Sequence, residues 1–528
     1  MPDLHFHWAD EVAAALEGRG GRHVIETGTS ISGVPHVGNA SDVIRGDAVR
    51  KVLADRDINA ELIWIADDGD PFRKVPKGME SLREYLGFPV YDIPDPGKCH
   101  RNFVDHFAKP FVADLEKYGV TPTVYSSIEL YRSGKLLDEI EVALENRGKI
   151  RAILNGFRKT PLPEDYIPWS PICSKCGRIS TTKAYGWDGD KIVSYVCSGV
   201  DPSTESKDLM DVSGCGHKGE SDITKGEGKL PWRVEWAARW SNFKVTCEPF
   251  GKEHATVGGS YDTSKLISKE VFGWEPPYPV VYEFFTLNGE KISSSKGNVI
   301  TLGDWLEICE PEVLKFFMYK RLQKQRDIKL DMIPNMVDEY DKGERIYFEL
   351  EEEEAGSEEK HRRMYELSQV SQPQLLQVPF TLCAVLAQLP RVDIPRVCGR
   401  LETMGYDRVD CGRLERRIEA AGRWVEKYGP EQLKFRILEN PESVAGKLSA
   451  QQIEGLVLLS KELGKRWKPE DFHKLIYNTA RGIGLEPNGL FEAIYLSLIN
   501  KVKGPKAASL ILSLDGDFVK KRFMFFKQ

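Results

Sequence analysis

Apolar positions in the first third of the chain follow first a strand-like and then a helical period. A short strand is predicted at 23–26, and apolar side chains then recur at helical spacing from Ala40 to Leu53. A second apolar run at 62–66 predicts the next strand. Strand, loop, helix and strand within about 45 residues form a β-α-β unit, which predicts a parallel sheet that binds a ligand at the carboxyl ends of its strands.

The pattern changes twice further along the chain. Residues 165–225 are rich in Cys, Gly, Ser and Lys and poor in long apolar runs, which predicts a small insertion without a large core. The sheet is predicted to resume at 245–248 and 280–284. Beyond about residue 330 helical spacing dominates, as in the face formed by Leu414, Ile418, Ala421, Val425 and Tyr428.

Length and composition limit the classes of protein that fit. The chain has 528 residues, which is too many for one hydrophobic core. Its 41% hydrophobic and 29% charged residues are typical of a globular protein, and no apolar run is long enough to cross a membrane, so we expect a cytoplasmic protein. The net charge of −7 argues against a surface coated by nucleic acid but leaves room for a local basic face. The ten cysteines are expected to be reduced, structural or metal-bound rather than paired in disulfides.

The first candidate signature is the string Pro35-His36-Val37-Gly38-Asn39, at the predicted junction of loop and helix. The free amides and partial positive charge of a helix N-terminus suit phosphate. Gly38 lets a ligand approach the backbone closely, and His36 can donate a hydrogen bond to an oxyanion. Taken alone, the string is also compatible with a capping or packing role.

The second candidate signature is a loop at 291–297, which follows a predicted turn at Asn288-Gly289. Two lysines flank three hydroxyls, and together they can neutralise a polyphosphate and satisfy its acceptors. The loop's candidate phosphate ligands are Lys291, Ser293, Ser294, Ser295 and Lys296. In isolation it could also be an ordinary surface loop.

In this order, about 250 residues apart on an α/β pattern, the two strings resemble the HIGH and KMSKS signatures of class I aminoacyl-tRNA synthetases. The resemblance implies that both grip ATP while a carboxylate attacks the α-phosphate, giving an aminoacyl-adenylate and pyrophosphate without a covalent enzyme intermediate. It marks as catalytic His36, Asn39, Lys291 and Lys296, and as ATP-binding Pro35, His36, Gly38, Asn39, Lys291, Ser293, Ser294, Ser295 and Lys296. Asn39 replaces the last His of HIGH, and Ser294 stands at the second lysine of KMSKS, so Lys296 is expected to supply that charge.

Further strings are similar to the class I lysyl-tRNA synthetases found mainly in archaea: Glu-Thr-Gly at 26–28, Gly-Lys-Glu-His at 251–254 and Gly-Gly-Ser-Tyr-Asp at 258–262. The amino-acid site that we derive from Glu26 and from this resemblance comprises Glu26, Gly28, Trp232, His254, Asp262 and Tyr282. A carboxylate at Glu26 suits a cationic amino acid, and residues 27–35 hold no Arg or Lys to receive a glutamate side chain. Glu26 could instead be a cap or a solvent-exposed group, and Trp232 and Tyr282 could be plain core residues.

A cysteine-rich segment predicts a zinc site in the insertion. Cys173 and Cys176 form a C-x-x-C half-site, with Cys197 and Cys215 as the second half and His217 as the alternative fourth ligand. Four thiolates in a core-poor, glycine-rich stretch are typical of tetrahedral structural zinc, which would supply folding energy.

A second cluster comprises Asp95, Cys99, His100 and His106, after a Pro-Asp-Pro-Gly turn. Its spacing permits one zinc ion, although His and Cys also serve as helix or core residues. The family resemblance implies a metal here as well, and we expect both zinc ions to be structural.

The resemblance implies L-lysine, ATP with Mg²⁺ and tRNA(Lys) as substrates, tRNA binding before adenylation, and no membrane partner. The C-terminal region resembles a helical anticodon-binding cage, where Lys520, Lys521 and Arg522 could contact phosphates and Phe523 could stack on a base. The alternatives are a class I synthetase for glutamate or arginine, a non-catalytic zinc-bearing RNA-binding relative, or a metabolic nucleotidyltransferase.

The predicted fold is therefore α/β: a Rossmann-like parallel-sheet catalytic domain with zinc-bearing insertions, followed by an all-α C-terminal domain. The predicted segments are 1–160 (first half of the catalytic domain), 161–230 (zinc-binding insertion), 231–335 (second half, with the lysine-flanked loop) and 336–528 (helical, anticodon-binding).

Overall fold

The structure, a computed structural model, describes residues 7–200, 209, 212–292, 297–354, 356–390, 393–406 and 409–527. The chain divides into two compact units. The first comprises Met1–Gly303 and Met318–Ile328, and the second comprises Asp304–Phe317 and Lys329–Gln528. The segment boundaries at 160, 230 and 335 stay predictions, since these units divide the chain at other positions.

The first unit alternates strands and helices. Its helices are α1 (Trp8–Glu17), α2 (Ala40–Asp55), α3 (Phe103–Lys117), α4 (Ser127–Arg132), α5 (Leu137–Glu145), α6 (Arg147–Asn155), α7 (Trp232–Phe243) and α8 (Ser260–Glu270). Its strands are β1 (His23–Thr29), β2 (Ala60–Ala66), β3 (Thr123–Ser126), β4 (Ser170–Pro171), β5 (Thr182–Trp187), β6 (Ile192–Cys197), β7 (Lys218–Asp222), β8 (Gly228–Lys229), β9 (Cys247–Gly251), β10 (Tyr278–Tyr282), β11 (Phe285–Leu287), β12 (Glu290–Lys291) and β13 (Arg326–Ile328).

Five parallel strands form the central sheet, in the order β10-β9-β1-β2-β3. Ile25, Ile63 and Ile65 are almost fully buried, as expected for strands covered on both faces. The chain runs outward from β1 to β2 and β3 on one side, and β9 and β10 lie on the other. The order therefore switches beside β1, which is where ligands bind in open α/β sheets. The predicted Rossmann-like parallel sheet is confirmed.

Helix α2 lies unusually close to the sheet. A Cβ at Gly46 would meet the Leu62 Cδ1 at 2.7 Å and the Thr27 Cγ2 at 3.2 Å, so only glycine fits at this contact. The close packing fixes the N-terminus of α2, and with it the first candidate signature, at the carboxyl edge of β1.

The hairpin β11–β12 positions the second candidate signature. Its two-residue turn has positive φ at both Asn288 (50°) and Gly289 (82°), and Leu287 pairs with Glu290 across it. Positive φ at both positions is the geometry that favours Asn-Gly in tight hairpins, so the predicted turn is confirmed. The hairpin ends at Lys291, and Ser293, Ser294, Ser295 and Lys296 lie outside the described residues.

The insertion is built from small sheets. Strands β5, β6 and β7 are antiparallel, and β4 pairs with β8. Cys173, Tyr195 and Cys197 are buried together there, with Cys176 and Cys215 packed against them. Since this cluster consists largely of thiols, the expectation of an insertion without a large apolar core fits the structure.

Helices predominate beyond residue 300. They are α9 (Leu302–Ile308), α10 (Pro311–Met318), α11 (Ile333–Tyr347), α12 (Ser357–Ser368), α13 (Phe380–Leu386), α14 (Ile394–Thr403), α15 (Cys411–Lys427), α16 (Glu442–Ala445), α17 (Ala450–Ser460), α18 (Pro469–Gly482), α19 (Pro487–Ile499), α20 (Ala507–Ser513) and α21 (Gly516–Phe525). Four residues of the predicted helical face, Leu414, Ile418, Ala421 and Val425, lie on α15, and the fifth, Tyr428, is the residue that caps its C-terminus. Of the described residues, no helix has both the length and the apolar character needed to cross a bilayer.

One cysteine pair departs from the expectation of unpaired thiols. Cys398 of α14 and Cys411, the first residue of α15, form a disulfide with their Cα atoms 6.4 Å apart. The two helices pack against each other, which brings together thiols that lie 13 residues apart in the sequence.

Candidate active site

A cavity of about 890 Å³ opens at the carboxyl ends of β1, β9 and β10, beside the N-terminus of α2. It gathers most of the residues predicted from the sequence. Those that line it are Glu26, Gly28, His36, Gly38, Asn39, Trp232, His254, Tyr282 and Lys291.

His36 faces this cavity as a neutral ring with a defined tautomer. Burial lowers the pKa of His36 to about 4. Its Nδ1 accepts a hydrogen bond from the Gly38 backbone N–H at 3.0 Å, which places the ring proton on Nε2. A Cβ at Gly38 would lie 2.8 Å from the His36 ring, so a side chain there would displace it. The ring can therefore donate from Nε2 at any pH well above its pKa.

Asn39 is tied to the same turn. Its Oδ1 accepts from the His36 backbone N–H at 3.0 Å, which leaves the Nδ2 group as a donor. Asn39 precedes the first residue of α2. The expectation of free amides here is wrong, because the Ala40 and Ser41 N–H groups donate to the His36 and Gly38 carbonyl oxygens at 3.1 and 3.3 Å. Two side-chain donors and the partial positive charge of the helix N-terminus thus converge where an anion can bind.

Lys291 contributes a cation to the cavity lining. It is exposed at the end of β12, and its Nζ lies 5.7 Å from the centre of the Phe284 ring. An exposed ammonium on a flexible stem can follow a bound polyphosphate.

Two carboxyl groups line the cavity with an oxygen free, Glu26, which is buried, and Asp42, which is half-buried. The Oε2 of Glu26 and the Oδ1 of Asp42 have no hydrogen-bond partner among the described residues. The pKa of Glu26 is raised well above its usual value by burial and by Glu248, and burial likewise raises the pKa of Asp42. Such groups gain most from a ligand that brings a positive charge.

Behind Glu26, the cavity is backed by a buried ion-pair network. Arg239 pairs with Asp67 and Glu235, each at 2.7 Å, and its Nη1 lies 4.0 Å from Glu26. Lys229 extends the network, since it contacts Glu235 at 2.6 Å and Asp70 at 2.5 Å. The Arg239 and Lys229 charges are thus committed to other carboxylates, which leaves the Glu26 carboxyl only weakly paired.

Aromatic rings form one side of the cavity. Trp232 and Trp236 stack with their ring centres 5.1 Å apart and an interplanar angle of 18°, and Trp236 lies 5.6 Å from His254. We call these three residues the aromatic wall. Tyr282 lies at another edge, with the buried Arg45 guanidinium 4.2 Å from its ring centre. Aromatic faces of this kind can hold an aliphatic chain and stabilise a cation.

Sequence reasoning missed several cavity residues: Asp42, Asp67, Asp70, Trp236, Arg239 and Glu248. The one available signal was the Glu235–Arg239 pair, which stands at i,i+4 among apolar residues of α7.

Two predicted site residues lie outside the cavity lining. Asp262 accepts from the Gly258 N–H at 3.0 Å and pairs with Lys265 at 2.9 Å, near the start of α8. Pro35 is buried in the loop before α2.

The four insertion cysteines form a site with zinc-like dimensions. The ligand atoms of Cys173, Cys176, Cys197 and Cys215 lie within 4.8 Å of one another. The Sγ–Sγ distances are 3.6 Å between Cys173 and Cys215 and 3.7 Å between Cys176 and Cys197. A zinc tetrahedron with bonds of about 2.3 Å requires sulfurs about 3.8 Å apart, so the thiols fit the ion. His217 contacts Ser174 instead, at 3.2 Å.

The second cluster also offers a compact mixed donor set. The Sγ of Cys99 lies 3.1 Å from the Nδ1 of His100 and 3.4 Å from the Nδ1 of His106, and His106 lies 2.9 Å from Asp95. One carboxylate, one thiol and two imidazoles at these distances can surround a single zinc ion.

Comparison with known proteins gives concordant matches. The family model described as "tRNA synthetases class I (K)" matches residues 6–371. The lysine–tRNA ligase of Methanosphaera stadtmanae is 39% identical over 98% of this chain and 99% of its own length, and that of Pyrococcus horikoshii is 38% identical over 98% and 99%. Among solved structures, a glutamate tRNA ligase from Elizabethkingia meningosepticum covers 96% of this chain and 99% of its own, with 11% identity and a TM-score of 0.39, too low to support an argument. The full-length matches at this identity show that this chain belongs to the class I tRNA synthetase family that contains these lysine–tRNA ligases.

Proposed function

We propose that this chain acts as a lysine–tRNA ligase, which activates L-lysine with ATP and transfers it to the 3′-terminal ribose of tRNA(Lys) in the cytoplasm. One observation carries the proposal. A single cavity holds the donors of the first signature and Lys291 together with two carboxyl groups that have an oxygen free, the buried Glu26 and the half-buried Asp42. The first set suits a polyphosphate, and the second suits a cationic side chain.

At the ATP end, catalysis consists of positioning and charge stabilisation. A lysine carboxylate oxygen forms a bond to the α-phosphorus while the bond to the bridging oxygen breaks, and pyrophosphate leaves with its Mg²⁺. We assign His36 Nε2–H, Asn39 Nδ2 and the start of α2 to the phosphate oxygens, and Lys291 to the developing negative charge. The family resemblance assigns the same task to Lys296 and to the three serines before it.

At the amino-acid end, Glu26 and Asp42 would receive the lysine ammonium. A glutamate side chain would place a third negative charge beside them, which costs binding energy in a desolvated site. Trp232, His254 and Tyr282 would flank the aliphatic stem, with Gly28 leaving room at the end of β1. For Asp262 we propose an indirect role, through the Gly258 turn that it caps.

We further propose that both metal clusters hold structural zinc. In the insertion, one ion would be held by Cys173, Cys176, Cys197 and Cys215. A second ion would be held by Asp95, Cys99, His100 and His106. In the insertion the ion would fix a segment that has few apolar contacts of its own, and in the other site it would join the loop at 95–100 to His106 on α3.

Pyrophosphate exchange in the presence of tRNA, measured with lysine, glutamate, arginine and ornithine, tests the substrate. We expect exchange with lysine alone. Exchange with glutamate or arginine would favour another class I synthetase, and no exchange with any amino acid would favour the non-catalytic relative.

A further inference from the structure

The carboxylate of Glu248 holds two tryptophans at the back of the cavity. Glu248 lies in β9 and is 5% exposed. Its Oε1 accepts from the Trp236 indole N–H at 2.7 Å, and its Oε2 accepts from the Trp240 indole N–H. Both carboxylate oxygens are therefore occupied, although the residue reaches the cavity lining.

Trp236 passes this constraint to residues that face the substrate. Its ring stacks on Trp232 and lies 5.6 Å from His254, so a rotation of the indole moves the aromatic wall. Trp240 packs against Trp236 at 5.0 Å but does not line the cavity.

A buried carboxylate is a costly way to pack two indoles. An apolar side chain of similar size would fill the same space without the cost of desolvating a carboxyl group, and burial raises the pKa of Glu248 to about 8. What the carboxylate adds is direction, because two fixed acceptor oxygens determine how both rings are turned.

We propose that Glu248 is a positioning residue for the amino-acid side of the cavity, which acts through Trp236 to set the aromatic wall around the substrate side chain. The inference rests on the proposed function, since it assigns that side chain to lysine.

The variant Glu248→Gln tests the proposal with little change of volume. Its amide offers one acceptor oxygen. Its NH₂ group is a donor and cannot accept the hydrogen bond of the second indole N–H, so one of the two bonds is lost. Loss of one of the two indole hydrogen bonds to this side chain should raise the KM for lysine about tenfold. The KM for ATP and kcat should change by less than about threefold, because the ATP donors do not touch the wall.

Trp236→Phe removes the same hydrogen bond from the other side and keeps an aromatic ring. It should reproduce the rise in lysine KM, and the double variant should show less than the sum of the two effects. This variant also carries the test if Glu248→Gln fails to fold. Glu139→Gln is the matched control: Glu139 is a buried carboxyl on α5 that accepts from Asn242 outside the cavity.

The preference of the enzyme for lysine over ornithine distinguishes a positioning role of Glu248 from a purely structural one. A displaced wall should lower the ratio of kcat/KM for lysine over ornithine, whereas partial unfolding lowers both values together. Equal changes in the KM for lysine and ATP, an unchanged ratio, or a lysine KM like that of Glu139→Gln would overturn the proposal. If the wild-type protein fails to use lysine at all, the proposed function fails instead, which is a distinct result.

Discussion

We propose that the His36 ring acts as a hydrogen-bond donor rather than as an acid, because burial lowers its pKa to about 4 and so leaves it neutral at physiological pH. His36→Ala should lower kcat for pyrophosphate exchange about 100- to 1,000-fold, the usual effect of losing one donor to a developing charge. His36→Gln should recover part of the rate, since its terminal NH₂ reaches the region of Nε2. Near-wild-type exchange by the alanine variant would remove His36 from the proposed site.

If Glu26 and Asp42 receive the lysine ammonium as proposed, lysine binding should depend on pH. Burial raises the pKa of Glu26 and Asp42, so each retains its proton to higher pH than an ordinary carboxyl. A protonated carboxyl cannot neutralise an ammonium group, and the KM for lysine should therefore fall as pH rises through the raised pKa of these two groups.

Without lysine, the same two groups should make the folded protein less stable as pH rises, whereas lysine binding becomes stronger. A raised folded-state pKa contributes stability at low pH that is lost as pH rises through that pKa, so the upward shift of Tm by lysine should grow with pH. Asp42→Asn should bind lysine more weakly and flatten the pH dependence, with the KM for ATP as internal control. A pH-independent lysine KM in the wild-type protein would contradict this assignment.

Individual site residues differed in how far the sequence could predict them. His36, Asn39 and Lys291 stand in short contiguous strings whose local geometry carries the chemistry. Asp42 was missed because its place in the cavity lining arises only in the folded sheet, which no local pattern reveals. The links of Arg239 to Glu26 and Asp67 join three segments that meet only in the folded sheet.

At the scale of elements, the apolar periods predicted β1, α2 and β2 well, and the Asn-Gly pair predicted the β11–β12 turn. The β5–β7 sheet had no such signal, because its segment lacks long apolar runs and its packing centres on cysteines.

Metal content tests the two proposed zinc elements. The purified protein should contain two zinc ions per chain by elemental analysis, Cys176→Ser should contain one, and His106→Ala should contain one. Proteolysis of Cys176→Ser should begin within the insertion, since the segment loses the bonds that order it. Cys309→Ala is the control, because Cys309 is buried outside both clusters and should keep both ions. Full zinc content in either ligand variant would contradict its site.

At the scale of the whole molecule, buried ion pairs join distant parts of the second unit. Arg417 is fully buried and contacts Asp341 and Glu310, each at 2.9 Å. Arg417→Ala would leave the buried Asp341 carboxylate unpaired and Glu310 with Arg413 alone, at 3.5 Å, and should lower the free energy of unfolding by about 3–5 kcal/mol, measured in urea. Arg416→Ala, an exposed change on the same helix, should alter it by less than about 0.5 kcal/mol. Equal stability of the two variants would refute this role.

The same contacts explain why the division into units escaped sequence analysis. Glu310 belongs to the second unit although it precedes residue 318, where the chain returns to the first. Its partner Arg417 lies 107 residues further on, beyond the reach of any periodicity.

In the proposed reaction, the cavity activates lysine with ATP and transfers it to tRNA(Lys). The most direct test incubates the purified protein with tRNA(Lys), ATP, Mg²⁺ and a mixture of amino acids, digests the tRNA with nuclease, and identifies the ester on the terminal adenosine by mass. We predict lysyl-adenosine from the wild-type protein and at most a trace of it from Lys291→Ala. Glutamyl- or arginyl-adenosine, or an unesterified end in the wild-type reaction, would contradict it.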